Sequence, residues 1–342
     1  MTEPITTWKE TLLDGEEAML TKLSEDLAAI QAARTAHKGG GAERALHVKQ
    51  HAGLRARLEV HADLPAPYAQ GLFAKPGRHD AFVRLSNGTA RSQHDKEPDL
   101  RGFALKVLGV EGDKALFPHD TQDFLLIDED QLPFRTPHEF ISFLQCAQNQ
   151  LTLPFTLLGK LGFRAFGLIA ALASGIKGNR GSVLDLEYHS VAPHAWGPYA
   201  ARLHLLPTHA ASPHAKPQRE RDYLRHELAP RVAAGGIAYA VHAQLCSDAD
   251  SVEDVTRPWT SPRKEVGRLT ILADDPASAS GKELDAFVST LSFDPWHSLT
   301  THRPLGLTMR ARKPSYLAST KARSAAAEPE AGSWSRFGTP SL

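Results

Sequence analysis

Apolar residues recur along this chain with two different periods. Over residues 16–33, Met19, Leu20, Leu23, Leu27 and Ile30 return at steps of three and four, the stripe of one helix face, and Lys38-Gly39-Gly40-Gly41 ends it. Eight later runs predict strands, being rich in β-branched or alternating apolar residues: 54–60, 80–86, 101–108, 123–127, 183–190, 199–206, 236–246 and 267–273. Partial alternation in 199–206 and 236–246 is the mark of a strand with one buried face. Helical patterns interrupt the series at 137–148, 155–176 and 219–232. Helices do not alternate strictly with strands, which argues against a doubly wound or (βα)₈ sheet. The expected class is α+β, an antiparallel barrel or curled sheet with helical insertions. Residues 324–342 are small, polar and proline-bearing, and read as a disordered tail.

The longest apolar run, residues 165–176, is too short for a bilayer, which takes ~20 residues. A core helix is the first reading of it and the lining of a lipid entrance the second, since periodicity does not separate the two. Composition narrows the function classes further. The charges balance at 39 basic and 39 acidic residues, with no basic tract of five, so the chain lacks a nucleic-acid footprint. Cys146 and Cys246 are too few for a disulfide framework or a cysteine-built metal cluster, and the polar, acidic start has no signal-peptide core, so a cytoplasmic protein is expected. The 17 histidines, including His204, His209, His214 and His242, show no metal-ligand spacing with a carboxylate, and there is no phosphate loop, Gly-x-Ser-x-Gly or His-Glu-x-x-His.

Three segments carry candidate chemistry. Residues 43–53 place His47 three positions after Arg44. Residues 82–88 place Arg84 and Ser86 on one strand face, and a buried Arg84 requires an anion beside it. The stretch Asp99-Leu100-Arg101-Gly102-Phe103-Ala104-Leu105-Lys106 follows. Near the end come Arg312, Pro314, Tyr316 and Arg323; Pro314 suits the first turn of a helix, which would set Tyr316 and Arg323 on one face. Guanidinium groups favour the phenolate form of a neighbouring tyrosine, and a tyrosine phenolate is an axial ligand for ferric heme. Taken alone, the same residues also read as a basic helix in solvent.

In order and at compatible intervals, these segments resemble the heme catalase family. His47 three after Arg44, Val83-Arg84-Leu85-Ser86, Asp99 to Lys106 with Leu100 in place of a proline, and Arg312-x-x-x-Tyr316 with Arg323 seven further on match its motifs. Leu291 to His297, then His302-Arg303-Pro304-Leu305-Gly306, resemble the short, catalase-related bacterial proteins in particular. The resemblance spans about residues 40–323. It implies an eight-stranded antiparallel β-barrel with helical insertions and a C-terminal heme-ligand helix, organised as an N-terminal helical arm (1–40), a barrel domain (41–323) and the tail.

The resemblance also implies heme b (iron protoporphyrin IX) and an oxidoreductase acting on hydrogen peroxide or organic peroxides with an unidentified reductant. Tyr316 would be the iron ligand, held by Arg312. His47 would be the distal base, its ring oriented by Ser86. Arg44, Arg84 and Arg323 would face the propionates, and Phe140 would be a further heme-binding residue. Alignment places Asp128 where the family has a distal asparagine, and an ionised carboxylate only accepts hydrogen bonds. A fatty-acid hydroperoxide isomerase or lyase of the allene oxide synthase type is the alternative enzyme, with Leu46 counting against it; a heme-binding protein without turnover is the third reading. The N-terminal segment is shorter than the arms of tetrameric catalases, compatible with a homodimer, and nothing supports NADPH binding.

Overall fold

The computed structural model describes residues 3–39, 41–147, 149, 151–175, 181–212 and 220–338. Among these, strands β1 (Gln50–Val60), β2 (Gly77–Asn87), β3 (Arg101–Leu108), β4 (Thr121–Ile127), β5 (Tyr188–His189), β6 (His194–Trp196), β7 (Tyr199–Pro207), β8 (Ala238–Leu245) and β9 (Arg263–Ile271) form one antiparallel sheet in the order β5-β4-β3-β2-β1-β9-β8-β7-β6. A further pairing of β5 with β7 closes eight of them into a barrel, with β6 as a flap beside β7. The helices are α1 (Glu16–Lys38), α2 (Pro137–Cys146), α3 (Leu153–Leu161), α4 (Arg164–Gly175), α5 (Tyr223–Ala234), α6 (Ala279–Thr290) and α7 (Leu307–Ala322).

Strand alternation divides the residues of β1–β4 between two environments. Leu54, Leu58, Val83, Leu85, Phe103, Leu105, Phe124 and Leu126 point into the barrel, where they meet Leu203, Leu205, Tyr239 and Val241 in a continuous apolar core. Their neighbours point outward in cross-strand rows fixed by the register: Arg84, Ala104 and Leu125 form one, and Ser86, Gly102 and Ile127 the next. Lower on the same outer face, Phe82 and Leu108 are covered by α6 and by Trp334 of the C-terminal segment. The upper rows look toward α7, which packs on α1 and α2 through Leu307, Ala311, Leu20, Leu27 and Ile141.

Several local expectations are corrected. The strand expected over 183–190 shrinks to Tyr188–His189, because Val183 and Leu184 enter the core from a loop. The helix expected over 155–176 is two helices, split where Gly162 turns with φ +55°. Its last residue, with Gln148, Arg219 and His214, lies outside the described residues. Pro314 sits inside α7, which starts seven residues earlier: Leu307 N–H donates to the Glu253 carboxylate (2.6 Å) and Gly306 N–H to Glu10 (2.9 Å). The segment read as a disordered tail is packed through residue 338. Trp334 is buried with the Arg55 guanidinium 4.8 Å from its ring, and Glu328 is bonded by Lys106 (2.5 Å), Ser292 (2.6 Å) and Thr121 (3.0 Å).

Candidate functional site

His47 lies in the segment leading into β1, in a left-handed conformation (φ +54°). Its backbone is fixed on both sides: the N–H donates to Gly88 O (3.1 Å), and the carbonyl accepts from Arg84 Nη2 (2.7 Å). Its ring rests on the outer face of the barrel, with Nδ1 3.1 Å from the Ser86 hydroxyl. The floor beneath it is Gly102, opposite Ser86 in the register; a Cβ there would lie 2.5 Å from Nδ1 and 2.9 Å from the Ser86 oxygen. With Nδ1 engaged, Nε2 is the nitrogen left for another partner. Burial, followed by the positive charges of Arg84, Arg312 and Arg44, pushes the His47 pKa down to about 3. The imidazole is therefore neutral at physiological pH and can accept a proton.

The facing wall is α7. Arg312 and Tyr316 are one helical turn apart; Arg312 Nη2 donates to the Tyr316 hydroxyl at 2.8 Å, with the guanidinium 5.1 Å from the ring centroid. A guanidinium only donates, so the phenol oxygen is the acceptor in this bond. Ala45 N–H reaches Ser319 Oγ (3.3 Å), which ties the segment carrying His47 to the same helix.

Three further guanidiniums gather between these walls. Arg84 is held by Gln50 Oε1 (2.8 Å), and Arg44 and Arg323 both donate to the carbonyl of Leu291, at 2.5 and 2.7 Å. Burial, then the charges of Arg84 and Arg323, lowers the Arg44 pKa well below its usual value. Burial and Arg323 bring Arg84 to about 9, and burial brings Arg323 to about 10. Among the described residues no carboxylate forms an ion pair with Arg44, Arg84, Arg312 or Arg323. Asp285, the acid whose charge reaches Arg84, is engaged by Arg225 (3.0 Å), Gln50 (2.8 Å) and Gly53 N–H (2.7 Å). So much uncompensated positive charge beside a neutral imidazole and a phenol calls for an anion.

Two further predicted residues, Asp128 and Phe140, have other recorded partners. Asp128 follows Ile127, so alternation turns it off the row that carries Ser86 and Gly102; its carboxylate accepts from Arg101 N–H (2.8 Å) and lies near the core phenol of Tyr188. Phe140 lies between clusters instead, packing on Phe134 (ring centroids 5.1 Å) and against the α1–α7 contact. Sequence reading missed the parts played by Gln50, the Leu291 carbonyl and the clearance at Gly102, although each stood inside a segment singled out above.

No family model matches the chain. A curated catalase-related peroxidase from Mycolicibacterium paratuberculosis (strain ATCC BAA-968 / K-10) is 28% identical over 219 residues, which cover 60% of this chain and 67% of the relative. Among solved structures, a fungal catalase superposes with TM-score 0.66 at 18% identity, covering 98% of this chain and 66% of that one. Catalase A from Saccharomyces cerevisiae gives 0.66 at 18% (94% and 67%), and a bacterial catalase 0.65 at 16% (98% and 65%). The chain thus spans about two thirds of the length of the catalases whose fold it shares.

Proposed function

We propose that this chain, catalase-like in fold and in sequence, is a heme-dependent peroxidase acting on hydrogen peroxide or an organic hydroperoxide. The observation that supports it most is the set of guanidiniums on Arg44, Arg84 and Arg323 with no carboxylate partner. Heme fits what those residues lack: its two propionates would answer the charge. Tyr316 Oη, kept as an acceptor by Arg312, would hold the iron, and the half-exposed apolar side chains of Ala104, Leu125 and Ile127 would meet the porphyrin. When bound, the heme supplies a redox-active ferric iron that drives cleavage of the peroxide O–O bond.

The chain's own residues have defined tasks in that reaction. Neutral His47 takes a proton at Nε2 from the incoming peroxide and returns it to the departing oxygen. Ser86 holds Nδ1, so ring and tautomer stay fixed through the transfer. Arg312 keeps the Tyr316 oxygen oriented. The Asp128 carboxylate accepts from Arg101 N–H and lies near Tyr188, which supports a reading in which His47 rather than Asp128 handles the proton.

The test is an absorption spectrum of the heme-loaded chain, then addition of hydrogen peroxide and of cumene hydroperoxide. A ferric spectrum with tyrosinate charge-transfer bands that Tyr316→Phe abolishes, together with peroxide consumption that His47→Ala abolishes, is expected. Heme uptake indifferent to Tyr316→Phe would overturn the ligand assignment. Consumption indifferent to His47→Ala would overturn the distal one.

A further inference from the structure

The hairpin of α3 and α4 is apolar on both of its faces. Leu157, Ala165 and Leu168 point inward and are buried on α2 with Phe134 and Cys146. On the outside, Leu151 is 88% exposed, Phe155 77%, Phe163 89% and Phe166 60%. Phe155 and Leu158 share one face of α3 with Leu151 in the turn just ahead of it, and Phe163 and Phe166 follow beyond the corner that Gly162 makes. Isolated exposed apolar side chains are ordinary; a contiguous set with three phenylalanines marks a surface that meets something apolar.

Charge identifies the partner. The described hairpin residues, 151–175, carry Lys160 and Arg164 and not one Asp or Glu, in a chain whose charges otherwise balance. Arg164 is paired with Glu139 (2.9 Å) from outside the stretch, and Lys160, exposed at the end of α3, has the Gln145 amide as its one hydrogen-bond partner among the described residues. A second copy of this chain laid face to face would bring the basic stretch against itself with no acid to pair it. An anionic bilayer surface satisfies both features: phenylalanines enter the acyl boundary while lysine and arginine meet the headgroups. No described helix is long and apolar enough to cross, so the contact is in the plane of the membrane.

We propose that the α3–α4 hairpin docks this protein on anionic lipid surfaces by burying Phe155, Phe163 and Phe166 at the headgroup boundary. The proposal stands apart from the heme assignments. The α2 side chain of Phe140 touches both the cluster under the hairpin and the one around α7, so docking sets the site close to the bilayer.

Sedimentation of the purified full chain with phosphatidylcholine vesicles, with and without phosphatidylglycerol, tests this. Binding is expected to the anionic vesicles, to fall as salt rises, and to weaken about tenfold in Phe155→Asp and in Phe163→Asp with the circular-dichroism melting curve unchanged. Lys160→Glu should lower the anionic preference alone. The proposal is overturned by absence of vesicle binding at low salt, by equal binding to vesicles lacking phosphatidylglycerol, or by self-association that Phe163→Asp abolishes while vesicles leave the chain in solution.

Discussion

Gly102 and His47 meet where no side chain can stand: a Cβ on Gly102 would come within 2.5 Å of the imidazole Nδ1. The seat of the proposed base is therefore a missing methyl group. Gly102→Ala should tilt the ring away from Ser86, lowering the rate of reaction with peroxide about a hundredfold. The overpacking should cost about 1–3 kcal/mol of stability. Stopped-flow kinetics and urea unfolding read the two effects separately; an alanine variant with unchanged rate would show that the ring does not need this seat.

The guanidinium cluster makes an opposite pair of expectations. In Arg323→Met the Leu291 carbonyl keeps its bond from Arg44, and one of three repelling charges is gone. The heme-free chain should be as stable as the parent or more so by up to ~1 kcal/mol, while heme binds about tenfold more weakly. Denaturation of the heme-free protein and heme titration check the two halves. A heme-free variant that loses stability would mean that the charges are balanced within the chain.

For His47 the pH dependence has a defined direction. Its pKa is lowered from 6.5 to about 3, so the ring is neutral throughout the range where an exposed histidine would titrate. Protonation favours the unfolded chain, so this group costs stability only as pH falls from about 6.5 toward 3. The rate of reaction with peroxide should stay level from pH 8 down to about 5. A limb with a midpoint near 6.5 in the rate profile would contradict a desolvated His47.

The C-terminal segment should loosen in alkali. Burial disfavours charge on His297, but the carboxylates of Asp123 (3.5 Å from Nδ1) and Glu328 (3.2 Å) outweigh that, and Lys106 opposes them only in part, so its pKa rises to about 9. A pKa raised above the unfolded 6.5 gives stability fully present below 6.5 and lost as pH climbs through 9. The Glu328 carboxylate, held far below its usual range by Lys106 and His297 against burial, gives stability that persists until strongly acid pH. Limited proteolysis after Arg323 should accelerate between pH 7 and about 9.5 in the parent and be fast at both in His297→Gln. Equal cleavage of the parent at both values would refute the latch.

What the sequence made legible is what local pattern encodes. Strand β3 was placed to the residue because alternation is a short-range rule, whereas the pairing of His47 with Ser86 and of Arg312 with Tyr316 was expected from the family resemblance, not from local pattern. The start of α7 was misplaced because its first N–H groups are met by Glu253 and Glu10, 54 and 296 residues away along the chain, which no window around Pro314 contains. Residues 324–338 looked solvated for the same reason: Trp334 and Glu328 find their partners on β1, β3 and β4. Asp128 was assigned by gapless alignment, a comparison that carries no information on its bond from Arg101 N–H just past the end of β4.

The two walls of the site lie near opposite ends of the chain, His47 ahead of the first strand and Tyr316 on the last helix. During synthesis from the N-terminus, every strand of the ring leaves the ribosome before α7 does. Folding of this protein therefore yields a closed barrel first and a complete site last, so any cofactor present earlier meets an open face and is enclosed only when the final helix settles.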